Sequence, residues 1–158
     1  MSGPLINGMH HTAISVSDMK TALAFYVNLL GLELAWRHDW SGAKKLDDIF
    51  DLEGSAGQIV MLRAGNAFIE LYQFDAPASA PQDPKRAVNE RGYTHVAFDV
   101  PDVDRAYEVL SAAGVRFHSK VQTGGGAKMV YGRDPFGNVF ELQEVTDPKL
   151  VPAIPRTP

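Results

Sequence analysis

Two histidines and two glutamates stand at matching places in this chain, and side chains of these types bind metal ions. His11 and His95 begin the similar stretches HTAISVSD and HVAFDVPD, one in each half of the chain. Glu70 and Glu141 lie in the apolar stretches FIEL and VFEL, where a charge without a partner would be costly. Two imidazoles and two carboxylates suit a divalent ion such as Zn²⁺, Ni²⁺, Co²⁺, Mn²⁺ or Fe²⁺. We therefore predict a metal site built from these four side chains.

The predicted site would be catalytic rather than structural. Four side chains leave positions of an octahedral shell open for water or substrate, and open positions are typical of catalytic metal sites. Each of the four residues alone has a simpler interpretation, as a packed or surface histidine or as a solvent-facing glutamate. The repetition of the same pair in both halves of the chain favours the metal site.

The elements that carry these residues also recur. Hydrophobic alternation and helical spacing predict the order strand, helix, strand, strand, strand in residues 8–74 and again in residues 92–145. Asp18 and Asp102, which follow His11 and His95 at the same interval, are predicted to cap the two helices. Each half thus begins with a histidine in its first strand and ends with a glutamate in its last.

The segments outside the repeats have the composition of connections. Residues 75–91 contain three prolines and are predicted to link the halves, and residues 146–158 form a proline-rich tail. We therefore predict a single α+β domain over residues 1–145, made of two repeats.

Strand alternation indicates which side chains share a face with the glutamates. Residues two apart in a strand point to the same side. Tyr72 and Phe68 are thus placed with Glu70, and Gln143 with Glu141, where they would contact a substrate.

Two further residues are candidate substrate contacts. Ser15 shares a strand face with His11, so that it would line the same pocket. Lys128 follows the glycine run of residues 124–126 and could meet an anionic group of the substrate.

The composition excludes several classes of function. The chain has 158 residues, a net charge of −4 and no cysteine. Thiolate chemistry and disulfides are therefore excluded, and no global charge attracts nucleic acid or anionic lipid. No apolar run approaches the ~20 residues of a membrane span, and no signal peptide is evident at the N-terminus, so the cytoplasm is the expected location.

The order of these motifs resembles the vicinal oxygen chelate superfamily, which includes glyoxalase I, methylmalonyl-CoA epimerase, extradiol dioxygenases and bleomycin-resistance proteins. The resemblance covers residues 8–145 and is closest to the glyoxalase I and methylmalonyl-CoA epimerase-like branches. The motifs that carry it are HTAISVSD from His11, FY at Phe25, LGL at Leu30, IEL at Ile69, HVAF at His95 and DPFGNVFEL from Asp134.

The resemblance implies a fold and an assembly. Members pair two βαβββ modules into a cup-shaped mixed sheet with the helices outside. The metal positions of the family fall on His11, Glu70, His95 and Glu141 of this chain. Dimers are usual in the family and some share each site between chains, so His11 and His95 could meet within one chain or across a homodimer.

The resemblance also implies an activity. The metal would polarise a carbonyl of an oxygen-chelating small molecule, and Glu141 or Glu70 would move a proton, which describes a lyase or an isomerase. The alternatives are an iron-dependent ring-cleaving dioxygenase on the same site and a bleomycin-resistance-like binding protein. Glyoxalase I carries an arginine four residues after its first histidine to hold glutathione. This chain has Ser15 there, which argues against glutathione.

Overall fold

The computed structural model of the protein describes residues 3–154, and its first module is a four-stranded sheet with its helices. The elements of this module are β1 (His11–Ser15), α1 (Met19–Leu23), which continues as a π-helical turn (Ala24–Leu29), β2 (Glu33–Ser41), α2 (Lys44–Phe50), β3 (Ala56–Ala64) and β4 (Ala67–Ala76). The strand order is β1-β4-β3-β2. The β1–β4 pair is parallel and the other pairs are antiparallel.

The second module repeats this plan with shorter strands. Its elements are β5 (Val96–Asp99), α3 (Val103–Ala112), β6 (Arg116–Phe117), β7 (Gln122–Gly124), β8 (Ala127–Arg133) and β9 (Val139–Val145). The strand order is β5-β9-β8-β6, and β7 pairs with β8. The β5–β9 pair is parallel, as the equivalent β1–β4 pair is. The α+β class with mixed sheets, predicted from the sequence, is confirmed, with the two sheets separate in the described part of the chain.

One hydrophobic core joins the two modules. The helices contribute Met19, Ala22, Phe25, Tyr26, Val103 and Leu110, and the strands contribute Val60, Leu62, Ile69, Leu71, Val130, Phe140 and Leu142. Each of these side chains is at most 5% exposed. Because strand side chains alternate, the neighbours of the core residues in β4 and β9 point to the opposite face of each sheet. The helices therefore lie on the core side, and both predicted metal-ligand pairs lie on the other.

The two main helices begin in the same way. The carboxylates of Asp18 and Asp102 accept hydrogen bonds from backbone N–H groups of the first turn, at 3.0 Å and 2.9 Å. A strand side chain binds the first N–H of each helix as well: Gln73 on β4 at 2.7 Å and Glu144 on β9 at 3.0 Å. The predicted caps are thus confirmed, and they hold each helix against the strand that carries the glutamate of its module.

Within residues 3–154, every helix falls short of the length and apolar character that crossing a membrane requires.

Candidate metal centre

The first candidate pair lies on two parallel strands. Ala13 of β1 pairs in register with Glu70 of β4, and His11 precedes Ala13 by two residues on the same face. The small alanine side chain leaves space for the imidazole to reach the carboxylate. His11 Nε2 lies 3.3 Å from Glu70 Oε2. Glu70 is only 7% exposed, so its charge is shielded from solvent on the side away from the core.

The second pair has the same construction. Ala97 of β5 pairs in register with Glu141 of β9, and His95 lies immediately before β5. His95 Nε2 lies 3.0 Å from Glu141 Oε2, and Glu141 is 6% exposed. In both modules, therefore, a histidine Nε2 faces a glutamate Oε2 in the same arrangement.

The geometry of each pair fits two ligands of one metal ion. Ligand atoms about 2.1 Å from an ion and at right angles to each other lie roughly 3 Å apart. The observed Nε2–Oε2 distances are 3.3 Å and 3.0 Å. The donor set of imidazole nitrogen and carboxylate oxygen suits first-row divalent metals.

The two pairs do not come together into one site within the chain. Across residues 3–154, no group of three or more histidine, aspartate or glutamate side chains is close enough to hold a metal ion. One chain therefore presents two candidate half-sites, each with one nitrogen and one oxygen donor.

An aromatic cluster adjoins the first candidate half-site through Tyr72. The Tyr72 ring stacks on Phe74 and meets Trp40 and Phe50 edge-on, with ring centroids 5.6 to 6.4 Å apart. Burial raises the pKa of the Tyr72 phenol, and a hydrogen bond with Glu70 contributes a smaller part of this rise. Tyr72 thus lies on the Glu70 face as predicted. Sequence reasoning missed Trp40 and Phe50, although the alternation of Trp36, His38 and Trp40 along one strand was a usable signal.

A second tyrosine, which the sequence did not single out, lies beside the second half-site. Tyr131 of β8 is the cross-strand partner of Glu141, and its ring centroid is 4.6 Å from that of His95. Its hydroxyl lies 3.5 Å from His95 Nε2. Burial and the Glu141 charge raise the pKa of the Tyr131 phenol, which keeps it protonated as a hydrogen-bond donor. Gln143 lies on this face too, two residues beyond Glu141 in β9.

Two other predicted contacts lie on the face of the first half-site. Phe68 pairs in register with His11, and Ser15 with Tyr72. Both positions share the side of the sheet that carries Glu70.

Lys128 departs from the prediction. It alternates in β8 with Met129 and Tyr131, so that it faces the other side of the sheet. Its Nζ lies 2.7 Å from Asp104 Oδ2 on α3, and this partner raises the pKa of the lysine. The structure therefore does not bring Lys128 to the candidate metal centre.

Comparisons with known proteins agree with this fold. The model of the Glyoxalase/Bleomycin resistance protein/Dioxygenase superfamily matches residues 8–142, and the chain belongs to that family. A glyoxalase family protein from Bacillus cereus has a solved structure that matches with a TM-score of 0.81 and 26% identity, covering 92% of this chain and 98% of that one.

Two named relatives are enzymes. A 2-epi-5-epi-valiolone epimerase from an Actinomyces species is 35% identical over 147 residues, which cover 85% of this chain and 77% of the epimerase. The lactoylglutathione lyase of Schizosaccharomyces pombe is 28% identical over 153 residues, and this chain spans 49% of its length. At the level of the family, the chain is thus of the lyase or isomerase type, and family members typically use divalent metals.

Proposed function

We propose that this protein is a metal-dependent lyase or isomerase that moves a proton next to a carbonyl group of a small molecule. The observation that carries the proposal is the repeated pair of a histidine Nε2 and a buried glutamate, at 3.3 Å in one module and 3.0 Å in the other. When bound, a divalent metal supplies Lewis-acid stabilisation of the negative charge that develops on the substrate oxygen.

The complete site forms between two copies of the chain in this proposal. His11 and Glu70 of one subunit meet His95 and Glu141 of its partner, which gives two equivalent sites in a homodimer. Two observations support this arrangement. The pairs stay separate within residues 3–154, and each lies on the sheet face opposite the shared core. Both faces are accessible to a partner, since the side chain of His11 is 38% exposed and that of His95 is 23% exposed.

Glu70 or Glu141 would carry out the proton transfer. The Glu70 carboxylate lies 3.3 Å from His11 Nε2 and near the Tyr72 phenol, whose pKa is raised by burial and by Glu70. Glu141 faces His95 and lies across from Tyr131, whose hydroxyl reaches toward His95. A carboxylate in this position can take a proton from the carbon next to the carbonyl and return it to the same carbon or to the neighbouring one.

The two tyrosines would hold the substrate. Both phenols have a raised pKa and remain protonated, so they can donate hydrogen bonds to substrate oxygens. Trp40, Phe50 and Phe74 pack around the Tyr72 ring, which would fix the direction of its hydroxyl beside Glu70.

The test combines metal analysis with isotope exchange. The purified protein should contain one divalent metal per chain, and the metal should be lost in the His95→Ala variant. With 2-epi-5-epi-valiolone, the compound in the name of the epimerase relative, incubation in D₂O should place deuterium at the carbon next to the carbonyl. Oxygen uptake with a catechol would instead identify a dioxygenase. If the purified protein contains no stoichiometric metal, and His95→Ala does not change its deuterium incorporation, both metal-dependent enzyme functions would be ruled out.

A further inference from the structure

The residues that precede the two candidate ligand histidines make equivalent contacts. His10 Nδ1 lies 2.9 Å from His11 Nδ1, and Thr94 Oγ1 lies 2.9 Å from His95 Nδ1. His10 and Thr94 occupy the same position of the internal repeat, since each immediately precedes the ligand histidine of its module. Both imidazoles are thus bound on the Nδ1 side by the preceding residue and face a glutamate on the Nε2 side.

We propose that His10 and Thr94 are equivalent positioning residues, which fix the ring orientation of His11 and His95 so that Nε2 alone is presented to the metal. A histidine that binds a metal through Nε2 carries its proton on Nδ1 and needs an acceptor there. The Thr94 hydroxyl is such an acceptor, and so is an unprotonated His10 Nδ1. The proposal rests on the metal site of the proposed function for its chemical purpose.

His10 and Thr94 share a second property, which a carbonyl or carboxylate would lack. A hydroxyl and an imidazole can each donate as well as accept. In the metal-free protein, Nε2 lies next to a carboxylate that only accepts, so the ring proton of a neutral histidine belongs on Nε2. Nδ1 then needs a donor, and when a metal takes Nε2 it needs an acceptor. Thr94 and His10 can serve both states without moving the ring.

His10 is itself held in position. Its ring stacks on Phe68 with centroids 5.2 Å apart and planes 25° apart, and its carbonyl accepts from the Phe68 N–H at 3.0 Å. The Arg63 guanidinium lies over the Phe68 ring at 4.9 Å. This stack explains how an exposed imidazole can keep a fixed contact with its neighbour. Thr94 needs no such support, because a β-branched side chain has few χ1 rotamers.

Two variants at each residue distinguish the effect of the hydrogen bond from the effect of side-chain packing. Thr94→Val keeps the shape and removes the hydroxyl, whereas Thr94→Ser keeps the hydroxyl. His10→Phe keeps the stacking on Phe68 and removes Nδ1, whereas His10→Asn keeps a polar atom near that position and removes the ring. Thr94→Val and His10→Phe should bind Co²⁺ about 10- to 100-fold more weakly than the unaltered protein. Thr94→Ser and His10→Asn should bind Co²⁺ with an affinity within about threefold of that of the unaltered protein.

A readout without metal makes the result independent of the proposed function. In long-range ¹H–¹⁵N spectra of the metal-free protein, Thr94→Val should shift the Nδ1 resonance of His95 and leave that of His11 unchanged. His10→Phe should do the reverse. If neither variant moves the Nδ1 resonance of the following histidine, the positioning role is refuted. If the resonances move as expected but the unaltered protein binds no Co²⁺, the proposed metal function fails while the ring-positioning contacts stand.

Discussion

The phenol of Tyr26 donates a hydrogen bond to Oδ2 of Asp134 at 2.8 Å, which links the first module to the second. Tyr26 lies in the π-helical turn and Asp134 in the turn before β9. Burial raises the pKa of Tyr26 well above its ordinary value, and the Asp134 charge adds to this effect. Asp134 also accepts from the Phe136 and Asn138 N–H groups and from the Asn138 side chain, so its carboxylate is saturated. The modules are thus joined on the core side, which leaves the faces with the candidate metal ligands pointing outwards.

The first prediction concerns this link. Tyr26→Phe removes one hydrogen bond to a buried carboxylate that keeps its other donors. We expect the free energy of unfolding to fall by about 1–3 kcal/mol, as is usual for a hydrogen bond to a charged group. Urea unfolding followed by circular dichroism measures this loss.

The matched control is Tyr107→Phe on α3, where the ring packs on Phe117 with centroids 4.8 Å apart. This variant should leave the free energy of unfolding nearly unchanged. Equal stability losses in the two variants would mean that the phenol of Tyr26 contributes nothing specific. Neither change should alter metal affinity, because both lie on the core side.

The second prediction distinguishes the two candidate ligand glutamates from Glu144, another glutamate of β9. Glu141→Gln and Glu70→Gln each remove an anionic oxygen next to a histidine Nε2, and we expect metal affinity to fall at least about tenfold in each. Glu144→Gln is the control, since Glu144 binds the first N–H of α3 on the opposite face of β9. Competition titration with a chromophoric chelator measures the three affinities. A loss in Glu144→Gln as large as that in Glu141→Gln would contradict the assignment.

The third prediction concerns acid stability. Hydrogen bonds from the side chain and the backbone N–H of Thr21 hold the pKa of Asp18 below its ordinary value. A carboxylate with a lowered folded-state pKa contributes stability that is complete above its unfolded pKa of about 3.9 and is lost as the pH falls through the folded value. Asp18→Ala should therefore be less stable than the unaltered protein at neutral pH, and the difference should narrow below about pH 4.

Urea unfolding at a series of pH values measures this difference. Glu53→Gln, which changes an exposed carboxylate, serves as the reference, and its small effect should not depend on pH in the same way. A difference between Asp18→Ala and the unaltered protein that stays constant down to pH 3 would show that the Asp18 charge is not involved.

Much of the fold followed from the sequence because the chain repeats itself. The internal repeat placed both caps and both histidines, and strand alternation assigned Glu70 and Tyr72 to one face, as the structure has them. These features depend on local spacing, which a sequence displays directly. The α2 helix is harder to predict, because its residues lie in a long connection without a clear apolar period.

The contacts that sequence reasoning missed depend on the relation between distant segments or on side-chain direction. Tyr131 is a neighbour of His95 only through the β8–β9 register. Lys128 precedes Tyr131 by three residues in β8, so that it faces the opposite side of the sheet and contacts α3. His10 precedes the regular part of β1, so that strand alternation does not predict the direction of its side chain. The separation of the two ligand pairs likewise reflects how the modules pack, which no local pattern encodes.

The shared site is the central claim, and mixing two variants tests it most directly. His11→Ala and His95→Ala should each abolish stoichiometric metal binding as homodimers. If each site combines the two modules of different subunits, a heterodimer of the two variants contains one intact site and one that lacks both histidines. After unfolding and refolding of an equal mixture, we expect about a quarter of the metal content of the unaltered protein. No recovery on mixing, with each variant folded and dimeric, would contradict the shared site.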